Sequence, residues 1–194
     1  MEAIEERVDR VGVELAEFIA QSKTTIRHMD EMIAELKEES RTHNFEMARI
    51  ADRIGRFAED IVAPNIPRLA EEIFGVGQIE FEAPRVKRRH SRDPSRVREF
   101  DVVVAGHRHL LVTSVKATAR NGDIPEFVAA LKDVFDYFPE FRGYTLVPIF
   151  ASMALGPEAV RRLTRLKIYA LALGQRTMEL LNLEDVRARR ADGK

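Results

Sequence analysis

The chain has 194 residues, of which 32% are charged and 45% hydrophobic, and its 31 basic residues nearly balance its 32 acidic ones. This allows one soluble domain of ordinary size with an appended segment, and overall charge favours no class of partner. Because there is no cysteine, disulfides and thiolate metal sites are excluded and a reducing cytoplasm is the expected location. No apolar run approaches the ~20 residues that span a bilayer, and the acidic N-terminus does not resemble a signal peptide, so no membrane association is expected.

The first sixty residues carry apolar side chains at alternating spacings of four and three, which is the pattern of a coiled-coil helix. The apolar positions are Ile4, Val8, Val11, Leu15, Ile19, Ile26, Met29, Ile33, Leu36, Met47, Ile50, Ile54, Phe57 and Ile61. Ser22, Ser40 and His43 occupy the intervening positions of the same stripe, and one extra four-residue step lies between Leu15 and Ile19. Polar residues at 38–44 weaken the helix. A helix this long cannot bury such a stripe alone. We therefore predict a coiled coil over residues 1–44 that forms a homo-oligomer, most simply a dimer; folding back onto the following domain is the alternative.

Shorter elements follow Pro64 and Pro67, since proline disrupts a helix interior. A short helix at 67–74 is ended by Gly75. Three strands are then predicted, separated by polar and glycine-containing turns, at 78–89, 96–105 and 109–118.

The remaining elements alternate between helix and strand. Asp123 with Glu126 predicts a capping box, opening a helix that buries Phe127, Leu131, Val134 and Phe138. A strand at 144–150, a helix from Pro157 and a strand at 168–173 complete the pattern. The order α, β-β-β, α, β, α, β predicts a mixed sheet with helices on its faces.

Two ionisable residues stand out in the central hairpin. Asp101 opens one apolar strand and Lys116 closes the next, and ionisable groups are rare in such runs unless they are paired or used. Since side chains alternate along a strand, Ser114 and Lys116 share a face. We predict that Asp101 and Lys116 meet in one site.

This arrangement resembles the metal-dependent PD-(D/E)XK nuclease superfamily, in which an Asp on one strand and a (D/E)-x-K on the next hold a divalent cation against a phosphodiester. Further segments resemble bacterial and archaeal proteins that join a coiled coil to a nuclease-like domain. This resemblance covers roughly residues 50–175. The similar segments are Gly55-Arg56-Phe57-Ala58-Glu59-Asp60-Ile61-Val62-Ala63-Pro64, Glu99-Phe100-Asp101, Val115-Lys116 and Phe138-Pro139-Glu140-Phe141-Arg142-Gly143. The resemblance implies a restriction-endonuclease-like domain at 45–194 with an α-β-β-β-α-β core plus an extra α-β. It also implies Mg²⁺ held by Asp101, with Lys116 as the catalytic cation.

Many members of the superfamily add a glutamate in a Gly-x-x-x-Glu pattern, which Gly55 and Glu59 match. Glu59 is thus the candidate second metal ligand, and Gly55, one turn earlier, would let the helix approach the sheet closely. The chain departs from the pattern at Ser114, where the relatives carry Glu. A serine hydroxyl supplies no charge, so the expected Mg²⁺ site is weak and activity is in doubt. Two functions remain open: metal-dependent DNA hydrolysis, or an inactive nuclease-fold protein that binds nucleic acid or assembles partners.

Structural explanations exist for the same residues. Asp101 could cap its strand or pair with Arg98 or Lys116, and Glu59 could be an exposed helix residue. Another acid could replace the one missing at 114, although none has the expected spacing; the candidates are Glu80, Glu82 and Glu99.

The segment 85–92, at the end of the first predicted strand and in the turn after it, is basic and is the predicted nucleic-acid surface. A local basic patch binds phosphates even on a neutral protein, and a solvated hairpin face is the alternative. The residues are Arg85, Lys87, Arg88, Arg89 and Arg92.

Overall fold

The computed structural model describes residues 2–175 and 177–191, with side chains from residue 10 onward. Its helices are α1 (Glu2–Val62), α2 (Asn65–Glu72), α3 (Asp123–Lys132), α4 (Val134–Tyr137), α5 (Pro157–Arg165) and α6 (Leu183–Ala191), with a 3-10 turn at Pro139–Phe141. Its strands are β1 (Phe81–Arg89), β2 (Val97–Gly106), β3 (His109–Lys116), β4 (Thr145–Ser152), β5 (Tyr169–Leu173) and β6 (Met178–Leu180). No helix in this described part is both long and apolar enough to cross a membrane.

Helix α1 is unbroken, including the polar stretch at 38–44. There the Thr42 hydroxyl donates to the carbonyl oxygen of Glu38 at 3.1 Å, which satisfies it within the helix. The apolar stripe is exposed, with Ile26 at 58% and Leu36 at 63%; the side chains of Ile4 and Val8 lie outside the described residues. The chain divides into two compact units, residues 1–51 and 52–194.

A six-stranded mixed sheet forms the second unit, with its strands in chain order. β1, β2 and β3 are antiparallel neighbours, β3–β4 and β4–β5 are parallel, and β6 is antiparallel to β5. Parallel neighbours need a crossover, which α3 with α4 provides between β3 and β4, and α5 between β4 and β5. The predicted mixed sheet is confirmed.

Each face of the sheet carries its own apolar core. The end of α1, together with α2 and α6, packs on one face against sheet residues such as Val104 and Leu111. Helices α3, α4 and α5 pack on the other face against residues such as Val103 and Phe150. The sheet is therefore covered on both sides, which is why its central strands are almost wholly apolar.

Several local expectations were wrong. The predicted helix after Asp123 is interrupted at Asp133, which has non-helical backbone angles (φ −117°, ψ 17°). The capping box does not form, because the N-cap is Gly122 and the Asp123 carboxylate instead accepts from the backbone N–H of Arg120 at 2.6 Å. A Cβ at Gly55 would meet nothing within 4 Å, so no close approach requires that glycine. β6 and α6 were missed altogether.

The β2–β3 hairpin is closed by His107 and Arg108, whose φ angles are +43° and +63°. Two successive positive φ values are typical of the tight hairpin turns that match strand twist. Gly106 is required next to this turn, because a Cβ there would lie 2.3 Å from the carbonyl oxygen of Gln78. This turn fixes the register that carries Asp101 and Lys116.

Candidate active site

Strands β2 and β3 separate where the candidate residues lie. Their pairing ends at Val102 and Thr113. Beyond that point β2 continues beside β1 as far as Val97, and β3 continues beside β4 as far as Lys116. The two strands thus leave a notch between residues 97–101 and 114–116.

Asp101 is the first β2 residue beyond the pairing. Its Oδ2 accepts a hydrogen bond from the backbone N–H of Val115 at 2.6 Å and from the Ser114 hydroxyl at 3.3 Å. The carboxylate therefore replaces the main-chain partner that β3 loses, and the strand-capping explanation is confirmed. Oδ1 makes no hydrogen bond within the described part of the chain, so it is free to contact a ligand.

Side-chain alternation in β2 shifts at this position. Phe100 and Val103 pack in the same core although they are three residues apart, and Val102 packs in the other. The β1–β2 register pairs Pro84 with Val102 and Val86 with Phe100 but skips Arg85 and Asp101, and Arg85 has a left-handed backbone (φ +50°). This conformation is uncommon for a residue with a side chain, so the strand pair is irregular at the site.

A cavity of about 330 Å³ opens at the notch. Asp101, Ser114 and Lys116 all line it, and Lys116 is close enough to lower the pKa of the Asp101 carboxyl. Within the described residues, Asp101 forms no ion pair shorter than 4.0 Å with Arg98 or Lys116. The alternative of a structural salt bridge is therefore not supported.

Glu59 reaches this region from α1. It is half-buried, and the Arg85 guanidinium donates to Glu59 Oε2 at 3.5 Å and to Asp60 Oδ1 at 3.0 Å. Arg85 thus holds the end of α1 beside the irregular strand. Glu59 does not line the cavity itself.

Burial raises the pKa of the Glu59 carboxyl, and the nearby Asp101 carboxylate raises it further, while Arg85 lowers it. Burial also raises the pKa of Asp101, against the lowering effects of the Val115 N–H, Lys116 and the Ser114 hydroxyl; Glu99 raises it. Like charges disfavour joint ionisation. A cation between these groups would reverse that effect.

The donor set is made of carboxylates and hydroxyls, which suits a hard cation such as Mg²⁺. Thr113 also lines the cavity, but its hydroxyl oxygen is buried and has no hydrogen-bond partner among the described residues. Among the described side chains, however, no three of the Asp, Glu or His residues come together as a metal-binding group. The residues fit one weakly held cation.

Sequence reasoning missed two acids that line the cavity, Asp123 and Glu126. Both lie on the first turn of α3, where the capping pattern gave them a purely local explanation. Glu99 also lines the cavity, 3.3 Å from the amine of Lys87. Glu80 is engaged elsewhere, since it accepts from the Tyr144 hydroxyl at 2.9 Å.

The predicted basic surface on and after β1 is largely neutralised. Arg88 pairs with Glu140 and lies over the ring of Phe138. The other members are engaged as well: Lys87 with Glu99, Arg92 with Asp136, Arg89 with the carbonyl oxygen of Pro94, and Arg85 with Glu59 and Asp60. These side chains therefore do not form one free cationic patch.

Comparisons with protein-family models, with curated proteins and with solved structures find no match.

Proposed function

We propose that this domain is a divergent nuclease of the PD-(D/E)XK type, with a restriction-endonuclease-like fold, which hydrolyses phosphodiester bonds in DNA. The observation that carries the proposal is the shared cavity of Asp101, Ser114 and Lys116 at the point where β2 and β3 separate. Main-chain irregularity and a buried carboxylate are typical of functional sites.

Asp101 would hold Mg²⁺. Glu59 is the further carboxylate; it lies outside the cavity lining, but the Asp101 carboxylate is close enough to raise its pKa. Bound Mg²⁺ supplies charge stabilisation at the phosphoryl oxygens and an acidified water. Lys116 places a positive charge in the same cavity, where it stabilises negative charge that develops on the phosphate. Ser114 orients Asp101 through its hydroxyl.

Three acids that line the cavity could replace the acid absent at Ser114: Glu99, Asp123 and Glu126. Glu99 is already paired with Lys87, and Glu126 is more exposed than Asp123. We propose Glu126 as the compensating carboxylate, since the Asp123 carboxylate is already bonded to the Arg120 N–H. Neither was expected from the spacing of the sequence motif.

Cleavage of supercoiled plasmid in Mg²⁺ or Mn²⁺ tests this function. Asp101→Asn and Lys116→Met should abolish cleavage, and Glu126→Gln should reduce it. Glu71→Gln, an exposed acid on α2 outside this cavity, is the matched control. Activity that survives Asp101→Asn would place the chemistry elsewhere.

The second candidate function is non-catalytic: the domain binds nucleic acid, and α1 assembles copies of the chain. It is favoured by the strand-capping bonds of Asp101 and by the absence, among the described residues, of a three-ligand metal group. DNA binding without cleavage at any tested metal concentration would favour it over hydrolysis.

We also propose that α1 pairs with α1 of a second copy to form a dimer, in a cytoplasmic protein. The exposed stripe keeps coiled-coil spacing from Ile19 to Phe57, which is about five heptads. A second copy carries the same stripe and so offers a surface of equal length.

A further inference from the structure

The helices that cover one face of the sheet present a second basic surface, which the sequence motifs did not indicate. Two clefts of about 420 and 430 Å³ lie along α3 and α5. Arg162 and Arg165 line both clefts, which are together called the α3–α5 groove; one acid, Glu158, lines the first of them. Arg120 and Arg161 line one end, and Lys132 lines the other.

These cations lack partners within the described part of the chain. Arg120, Lys132, Arg162 and Arg165 make no side-chain ion pair within 4.0 Å there. Arg161 reaches Glu158 only at 3.9 Å, and both of these side chains are largely exposed. The β1 segment differs, because its arginines are already held by acceptors of the chain itself.

We propose that the α3–α5 groove binds the phosphate backbone of a nucleic acid. Guanidinium groups match phosphate oxygens through paired hydrogen bonds. Arranged as a row from Arg120 to Lys132, they suit a chain of phosphates better than a single small anion. Leu166 is the exposed large apolar side chain of the described groove, which leaves little to insert into a lipid surface.

The position of the groove relates it to the proposed active site. Helix α3 separates the two: Asp123, Glu126 and Phe127 line the notch cavity, whereas Pro125 and Lys132 line the groove. A helix is about 10–12 Å across. Nucleic acid in the groove therefore passes along α3, roughly one helix diameter from the notch cavity. The choice of a nucleic acid as the ligand rests on the proposed function. Both candidate functions involve a nucleic acid, so the groove proposal applies to either.

Fluorescence anisotropy with a labelled DNA duplex, in EDTA, tests the groove without any contribution from cleavage. Arg162→Glu with Arg165→Glu should weaken binding roughly a hundredfold at about 50 mM salt and lower the log–log salt slope by about two units, since each phosphate contact contributes about 0.9. The matched control is Lys87→Glu with Arg89→Glu, which changes net charge equally and should alter affinity much less. Arg120→Glu, on the loop before α3, is an independent second variant.

Thermal melts should show that the groove double variant, the control double variant and Arg120→Glu are all folded. Equal losses in the groove and control variants would overturn the proposal, because binding would then follow net charge alone. Wild-type affinity in the groove variants would also overturn it, as would a wild-type protein that binds anionic-lipid vesicles but no DNA. Failure of the nuclease proposal is seen separately, as absent or Asp101-independent plasmid cleavage, and leaves the anisotropy outcome unaffected.

Discussion

Large apolar side chains are mostly exposed on helix α1 and mostly buried in the elements that follow it. Fifteen of the nineteen large apolar side chains that are exposed in the described part of the chain lie on α1, between Val11 and Phe57. Among the described residues after α1, the exposed large apolar side chains are Val97, Leu166, Leu173 and Leu181. The α/β domain is thus complete in its own packing, whereas α1 carries an apolar face that only another surface can bury.

The last turns of α1 carry both buried and exposed apolar side chains. Ala58 and Val62 are fully buried in the core of the sheet. Ile54 and Phe57, on the stripe, are 53% and 63% exposed. Ala58 lies one turn after Ile54 on the same side of the helix, so the stripe extends into the region that packs on the sheet.

The largest expected effect is on the free energy of unfolding, and it distinguishes a buried phenylalanine of the domain from an exposed one on α1. Phe138→Ala should destabilise the domain by about 3–5 kcal/mol, because Phe138 is fully buried and a cavity would remain. Phe45→Ala, at a residue 66% exposed on α1, should change the free energy of unfolding of the domain by less than about 0.5 kcal/mol. Chemical denaturation followed by near-UV circular dichroism measures both. Equal losses would mean that α1 and the domain do not differ as described.

Self-association should depend on the stripe. Leu15→Glu with Ile26→Glu should weaken the dimer by more than about a hundredfold, since each apolar side chain buried contributes roughly 1.5–3 kcal/mol. Sedimentation equilibrium at tens of micromolar measures this. Gln21→Glu with Thr24→Glu, on the polar face, is the control and should leave the dimer intact. A wild-type monomer at these concentrations would contradict the proposal.

A smaller effect is expected at the notch. Ser114→Glu adds a carboxylate beside Asp101, so it should raise Mn²⁺ affinity by about tenfold or more and increase cleavage of DNA. Without metal the added like charge should lower the melting temperature, and metal should restore it. Adding Asp101→Asn should cancel both gains. Unchanged activity with Ser114→Glu would show that the existing acids suffice.

The smallest expected effect is on stability and pH. Because the pKa of Asp101 is raised in the folded state, the protonated form is the one favoured by folding. The associated stability is present at low pH and is lost as pH rises through the folded pKa. Asp101→Asn mimics the protonated form, so it should raise the melting temperature at about pH 7.5 and lose this advantage towards about pH 4. A melting temperature lowered at both pH values would show that the ionised carboxylate stabilises the fold.

The sequence alone determined the elements whose signals are local. The four-three spacing predicted α1 because helix faces repeat at that interval, and residues 106–108 predicted the hairpin because tight turns need particular backbone angles. The alternation of β3 placed Ser114 and Lys116 together, and the hairpin brought Asp101 to them. What failed locally was the capping box at Asp123, where a competing bond to the Arg120 N–H forms.

Interactions between residues that are far apart in the sequence were determined only by the tertiary structure. The basic side chain of Arg88 is neutralised by Glu140, 52 residues later, and Arg85 by Glu59 and Asp60, earlier on α1. Glu126 enters the notch and Arg162 meets Lys132 along the groove only because α3 and α5 pack on one face of the sheet. Charge in a sequence shows which residues can bind an anion. Only the folded arrangement shows which of these cations are already paired with acids of the chain, because an ion pair depends on distance in space and not on separation along the chain.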